Sequence, residues 1–216
     1  MNQMIKLDQY GLIGQHRPGE PNYLDMGDSC MKTSLAVIGG IISDKLLGYF
    51  LVQERHNELG NYLLSNKVIR SPSSKEYSDP KKTSRDQLIC FMAALALTNH
   101  KYVNKNIMYC SYKYRINKDL LISPSIRWFM RKCEGDDYYS WLGDKMIRLD
   151  IWWASKNTDK ELNQLFCMCL VLGKDYVKLL CDSHPDWRKN LRDYWCGWRD
   201  QAEIGEAFIK RIERNL

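Results

Sequence analysis

Ser84-Arg85-Asp86-Gln87, followed directly by Leu88-Ile89-Cys90-Phe91-Met92-Ala93-Ala94-Leu95-Ala96-Leu97, is the stretch on which the fold turns. The consecutive apolar residues leave no polar face, so a helix here must be covered on every side, unlike the one-sided stripe of a surface helix. Ser84 with Gln87 three positions on has the spacing of a capping box, which puts the helix start at the polar tetrapeptide. Burying such a helix takes a shell of others. That requirement predicts an all-α chain, arranged as a multi-helix bundle or a partial α/α layer.

Upstream, residues 66–82 carry Pro72, Pro80 and several serines and read as a loop. Before it, Asp28 or Ser29 is placed to cap a helix running to about residue 50, with Leu35, Ile38, Ile41, Ile42 and Leu46 at helical spacing. Gly39-Gly40 leave room for a close neighbour, and residues 54–64 read as a helical segment continuing or bending from the first. Residues 1–27, centred on His16-Arg17-Pro18-Gly19-Glu20-Pro21, form an extended lead-in, because proline lacks an amide donor and its ring blocks a helix.

Downstream, residues 99–124 are an irregular, tyrosine- and lysine-rich segment, of which 109–114 reads as a short strand or a loop. Helical periodicity resumes over 125–133, and over 139–156 with Trp141, Met146, Leu149 and Trp152-Trp153. It continues over 159–181, with Leu162, Leu165, Phe166, Cys169 and Leu170 on one face and Asp159 and Glu161 suited to the dipole at its start. Two further helices are expected over 185–195 and 199–214, for seven or eight in a single domain. The tripeptide Arg85-Asp86-Gln87 recurs as Arg199-Asp200-Gln201, too short an echo to support a repeat.

With 216 residues the chain is long enough to bury a core without staples, and 44% hydrophobic with 27% charged residues excludes wholesale disorder. Basic residues number 32 against 26 acidic, a balance of +6 that attracts polyanions weakly. The 13 tyrosines and 7 tryptophans suit core packing or the lining of a groove. The eight cysteines lie mostly in apolar helical stretches and are expected to be reduced. The N-terminus has no apolar signal core, so synthesis in the cytoplasm is expected. The longest apolar run, 34–42, is too short to span a bilayer, so no membrane partner is expected. There is no C-x-x-C, no H-x-x-x-H, no Walker-type loop, no G-x-G-x-x-G and no G-x-S-x-G. No metal or other cofactor is therefore expected, nor a familiar nucleotide or serine-hydrolase site.

Two polar motifs sit at helix entrances: Asp25-Met26-Gly27-Asp28-Ser29 and Ser84-Arg85-Asp86-Gln87. Asp25 and Asp28 suit a base with its orienting partner, or a hard cation held with Ser29, although a calcium loop opened at Asp25 would need an acid where Ala36 stands. Arg85 in a first turn opposes the helix dipole and calls for an anion, Asp25 or Asp28. The two motifs can meet only if their helices start at the same end. If they meet, they form either a reactive site or an ion pair that fastens two helices.

The ordered set Asp25-x-Gly27-Asp28-Ser29, Arg70-x-Pro72 and Ser84-Arg85-Asp86-Gln87 resembles a group of uncharacterised helical proteins encoded by tailed bacteriophages and some bacteria. The resemblance covers roughly residues 20–100 and departs at Lys32-Thr33-Ser34, where the group has a glycine. It implies a phage-type accessory protein, in the host cytoplasm, and no established activity. In pattern alone, acids at helix starts with aromatics nearby are similar to glycan-active α/α barrels. That similarity implies a hydrolytic site in which Asp28 and Asp86 are the acid/base pair and Asp25 and Arg85 tune them. Ser29, Ser84, Gln87 and Arg70 would contact the ligand, with Trp or Tyr rings as sugar platforms.

A competing reading is a non-enzymatic module that binds nucleic acid or protein. Lys101, Lys105, Lys113, Arg115 and Lys118 alternate with Tyr102, Tyr109, Tyr112 and Tyr114, a pattern that could hold phosphates while rings stack on unpaired bases, or could be a solvated loop. Asp136-Asp137 beside Tyr138-Tyr139 reads as an exposed turn. Trp187, Trp195 and Trp198 read as packing of the last helices.

Overall fold

A computed structural model describes residues 5–17, 20–58, 61–75, 78, 83–99, 123–136, 138–157, 162–196 and 201–216. Among them are eight α-helices: α1 (Ser29–Gly39), α2 (Arg85–Leu97), α3 (Pro124–Cys133), α4 (Trp141–Asn157), α5 (Leu162–Leu172), α6 (Lys174–Ser183), α7 (Trp187–Cys196) and α8 (Ala202–Glu213). A 3-10 helix, Asp44–Phe50, and two antiparallel hairpins complete the described elements. The hairpins pair β1 (Gln15–Arg17) with β2 (Glu20–Asp25), and β3 (Leu51–Glu58) with β4 (Asn61–Val68). The class is all-α, as the apolar run of α2 requires.

From Leu88 to Leu95 every residue of α2 is buried, and α1, α3 and α5 pack against it. α8 packs on α1 in turn, and α3 with α4, α5 with α6, and α7 with α8 form neighbouring pairs. One hydrophobic cluster runs through all of this. It takes Leu12, Ile13 and Met26 from the N-terminal segment, Phe91 from α2, Phe129 from α3, Phe166 from α5, Trp187 and Trp195 from α7, and Phe208 from α8. Cys30, Cys90, Cys133, Cys167, Cys169 and Cys181 are buried free thiols, and Cys167 Sγ lies 3.8 Å from Cys90 Sγ. No helix among the described residues is long and apolar enough to cross a membrane.

Three sequence expectations are corrected. The first helix does not reach residue 50. It ends at Gly40, whose φ of 79° is left-handed, and Gly40 N–H and Ile41 N–H donate to Val37 O and Ala36 O in a Schellman motif. Residues 54–58 and 61–64 are not helical. They lie in the paired strands β3 and β4, in register from Leu51 opposite Val68 to Glu58 opposite Asn61, and Ile69 N–H donating to Phe50 O ties the base of the pair to the core. None of those residues is β-branched, so their strand state comes from their partner and not from propensity. The single helix over 159–181 is two, broken at Gly173 with φ 128°. Asp159 and Glu161 lie outside the described residues.

In the segment expected as a lead-in, a turn at residues 8–11 precedes the β1–β2 pair, which has an irregularity between His16 and Arg17. The room left by Gly39 is filled by α8: a Cβ at position 39 would lie 2.9 Å from Ala207 Cβ. Trp187 and Trp195 are core residues, whereas Trp198 is outside the described residues.

Candidate functional site

The first turns of α1 and α2 meet, so the two helices start at the same end. Gln87, fully buried in the first turn of α2, joins them. Its Oε1 accepts from Met31 N–H at 2.8 Å and its Nε2 donates to Asp28 Oδ1 at 3.1 Å. Met31 N–H is one of the donors that a helix start leaves without an internal partner. Asp28 occupies the N-cap position of α1 but makes no side-chain cap bond, and Ser84 likewise makes none at α2. This corrects two expectations: Asp28 and Ser29 do not cap α1, and Ser84 with Gln87 does not form a capping box. Gln87 caps the neighbouring helix instead, while the Ser84 hydroxyl hydrogen-bonds Asp86 Oδ1.

The 25–28 turn is held from within and from outside. Asp25 Oδ1 accepts from Gly27 N–H at 2.9 Å. Arg70 Nη1 donates to Gly27 O at 3.4 Å, and Arg70 O accepts from Cys30 N–H at 3.0 Å. Arg70 therefore brackets the turn on both sides. Asp25, Asp28, Ser84, Arg85 and Asp86 are all partly buried. Ser29 Oγ and Arg70 Nε are buried with no hydrogen-bond partner among the described residues, an arrangement that a bound water or a ligand hydroxyl would satisfy.

Burial pushes the Asp28 carboxyl above its ordinary value, and the charges of Asp86 and Asp25 push the same way, opposed by Lys32 and Arg70. The cations acting most strongly on Asp28 are thus Lys32 and Arg70. Lys32 is only 1% exposed. The Tyr194 phenol of α7 is pushed up by burial first and then by the charges of Asp28 and Asp86. The Cys30 thiol is pushed up in the same way, by burial first and Asp86 second. Among the described residues no group of three His, Cys, Asp or Glu side chains is arranged to hold a metal ion, so Asp25, Asp28 and Asp86 do not form a ligand set.

A carboxyl that tends to keep its proton beside a second carboxylate is the arrangement general acid/base chemistry uses. The structure thus brings Asp25, Asp28, Ser29, Arg70, Ser84, Asp86 and Gln87 to one junction, with Arg85 in the first turn of α2. Sequence reading missed Lys32 and Tyr194. Lys32 carried a signal, being the one charged residue in Ser29–Gly39, whereas nothing near Tyr194 marked it. Lys101, Lys105, Tyr112, Lys113 and Arg115, the nucleic-acid alternative, lie outside the described residues. Of the echoed tripeptide only Gln201 is described. It too is buried, and its Nε2 donates to Gly14 O at 3.2 Å. Asp136 accepts from Tyr138 N–H and pairs with Arg131 at 3.0 Å in a partly exposed turn.

No family model, curated protein or solved structure matches this chain.

Proposed function

We propose that the junction where α1 and α2 begin is the carboxylate acid/base centre of a glycan hydrolase, borne by a phage-type accessory protein acting in the host cytoplasm. The observation that supports this reading is the environment of Asp28, which favours the protonated carboxyl, next to the second carboxylate, Asp86. Asp28 is the acid and passes its proton to the glycosidic oxygen as the C–O bond breaks and the electron pair leaves with that oxygen. Asp86 either adds to the anomeric carbon or takes a proton from the water that does. Ser84 orients Asp86, Gln87 orients Asp28, and Asp25 with Arg70 fixes the turn that carries Asp28. Ser29 and Arg70 supply the unsatisfied groups for a water or a sugar hydroxyl, and Arg85 and Lys32 offset the gathered negative charge.

The test is release of reducing ends from a panel of bacterial cell-wall and surface polysaccharides. Asp28→Asn and Asp86→Asn should each lower turnover by roughly 100- to 10,000-fold, with the melting temperature held. The alkaline limb of the pH profile should follow loss of the Asp28 proton, above the ordinary carboxylate range. A wild-type chain inert on the whole panel sinks the proposal. So does a large fall in melting temperature in both variants, which would assign the cluster to fastening α1 onto α2.

A further inference from the structure

α4 buries one side and exposes the other, and the exposed side carries large apolar residues. Ile147, Ile151 and Ala154 face the core, whereas Trp141 is 65% exposed and Leu142, Leu149, Trp152 and Trp153 are each about half exposed. With Tyr138 and Tyr139 just before the helix, seven of the eleven large hydrophobic side chains exposed among the described residues gather here. At about 100° per residue the helical ones span an arc of roughly 120°. A half-exposed ring presents on the order of 100 Å², so the patch approaches the ~800 Å² that one partner contributes to a standard protein interface. That is more than the apolar patch a monomer typically shows.

The pattern along this face is nearly the same in both directions. Measured from the level of Ile147, Trp141 lies as far one way as Trp153 the other, Leu142 as Trp152, and Lys145 as Leu149. Two such helices laid antiparallel about a twofold axis at that level set tryptophan against tryptophan, leucine against tryptophan, and the Lys145 stem against leucine. A twofold interface demands this self-complementarity, because each residue must suit the one its counterpart meets. A groove of about 320 Å³ lined by Trp128, Arg131, Tyr138 and Leu142 lies at the Leu142 end of this face. Lys145 already lies over the Trp141 ring at 5.7 Å, leaving its long stem to cover apolar surface while its charge stays at the edge. Arg148 is engaged by Asp144 at 2.8 Å and does not enter the face as a bare charge.

We infer that the outer face of α4 is a homodimer interface, in which Trp141, Leu142, Leu149, Trp152 and Trp153 pack against the same residues of a second copy, α4 antiparallel to α4. This surface is independent of the junction proposed as a reactive site.

Sedimentation equilibrium of the full chain should give a mass of two chains. Leu149→Lys, which sets a cation against Lys145 of the second copy, should weaken the dimer by roughly thirtyfold or more, and Leu149→Met should leave it intact. The double variant Lys145→Glu with Leu149→Lys should dimerise again, because each glutamate then meets a lysine of the other copy. That recovery also shows that the single variant had not merely misfolded. A wild-type chain that stays monomeric at high micromolar concentration overturns the inference, and so does a dimer indifferent to Leu149→Lys. Failure of the double variant to recover overturns the antiparallel pairing. A monomer that instead binds anionic vesicles or a single-stranded oligonucleotide through this face overturns it as well.

Discussion

The start of α1 and the outer face of α4 break the usual partition of side chains in opposite senses. At the α1–α2 junction polar groups go inside: Lys32 and Gln87 are buried and Asp28 is mostly enclosed. On α4 three tryptophans and two leucines stay outside. The two departures are resolved differently. A buried polar group is costly unless it finds a partner, so the junction recruits Gln87 across to α1 and Arg70 from the segment after β4, leaving Ser29 Oγ and Arg70 Nε unmet among the described residues. The rings and leucines on the outer face of α4 keep half or more of their surface open to solvent, and apolar surface of that extent favours association.

The sharpest way to break this contrast is Gln87→Ala. It leaves Met31 N–H buried without an acceptor and removes a donor from Asp28, and should cost about 3–5 kcal/mol of stability by urea denaturation. A loss below about 1 kcal/mol would mean that water replaces the glutamine and the junction is not a closed network.

Next comes the inner side of α4. The Tyr176 hydroxyl donates to Asp144 Oδ1 at 2.7 Å, and Asp144 also accepts from Arg148 Nε. Burial favours the protonated Asp144, but these hydrogen bonds outweigh it and hold the carboxyl below its ordinary value. Tyr176→Phe should cost about 1–2 kcal/mol at neutral pH. That stability is present above the unfolded value of 3.8 and disappears as pH falls through the lower folded value, so wild type and variant should converge in acid.

Asp28 has the opposite sign. Its folded carboxyl holds a proton more tightly than the unfolded one, so folding loses stability as pH rises from 3.8 through the raised folded value. Asp28→Asn keeps an oxygen for Gln87 and removes the charge. It should melt at or above the wild-type temperature at pH 7, with the gap closing toward pH 3.8. A variant that melts well below wild type at pH 7 would show that the carboxylate fastens the junction. The smallest effect belongs to the outer face: Leu142→Ser should change the stability of the isolated fold by no more than about 0.5 kcal/mol, while weakening self-association. A larger loss in the monomer would mean the side chain supports its own chain.

How far the primary structure can be read depends on the range of the forces involved. α2 is legible from its uninterrupted apolar run. The end of α1 is also written locally, in Gly39-Gly40, yet the helical spacing of Ile41, Ile42 and Leu46 suggests a helix continuing past it. Those three residues do pack on the core, from a 3-10 helix and the turn before it. Trp141, Leu149 and Trp152-Trp153 mark α4 as a helix but point to the wrong side of it, because periodicity identifies a face without saying what that face meets. At the junction the motif residues are legible and their partners are not. Ser84-x-x-Gln87 has the spacing of a capping box, and only the approach of α1 offers Gln87 a better acceptor and donor.

Helix class, the central position of α2 and the polar tetrapeptides at two helix starts are properties of short stretches, where composition and spacing act over a few turns. The strand state of 51–58 and 61–68, the cross-helix work of Gln87, the burial of Lys32 and the outward tryptophans belong to the tertiary structure. Each depends on which distant surface arrives alongside, and no local pattern encodes that.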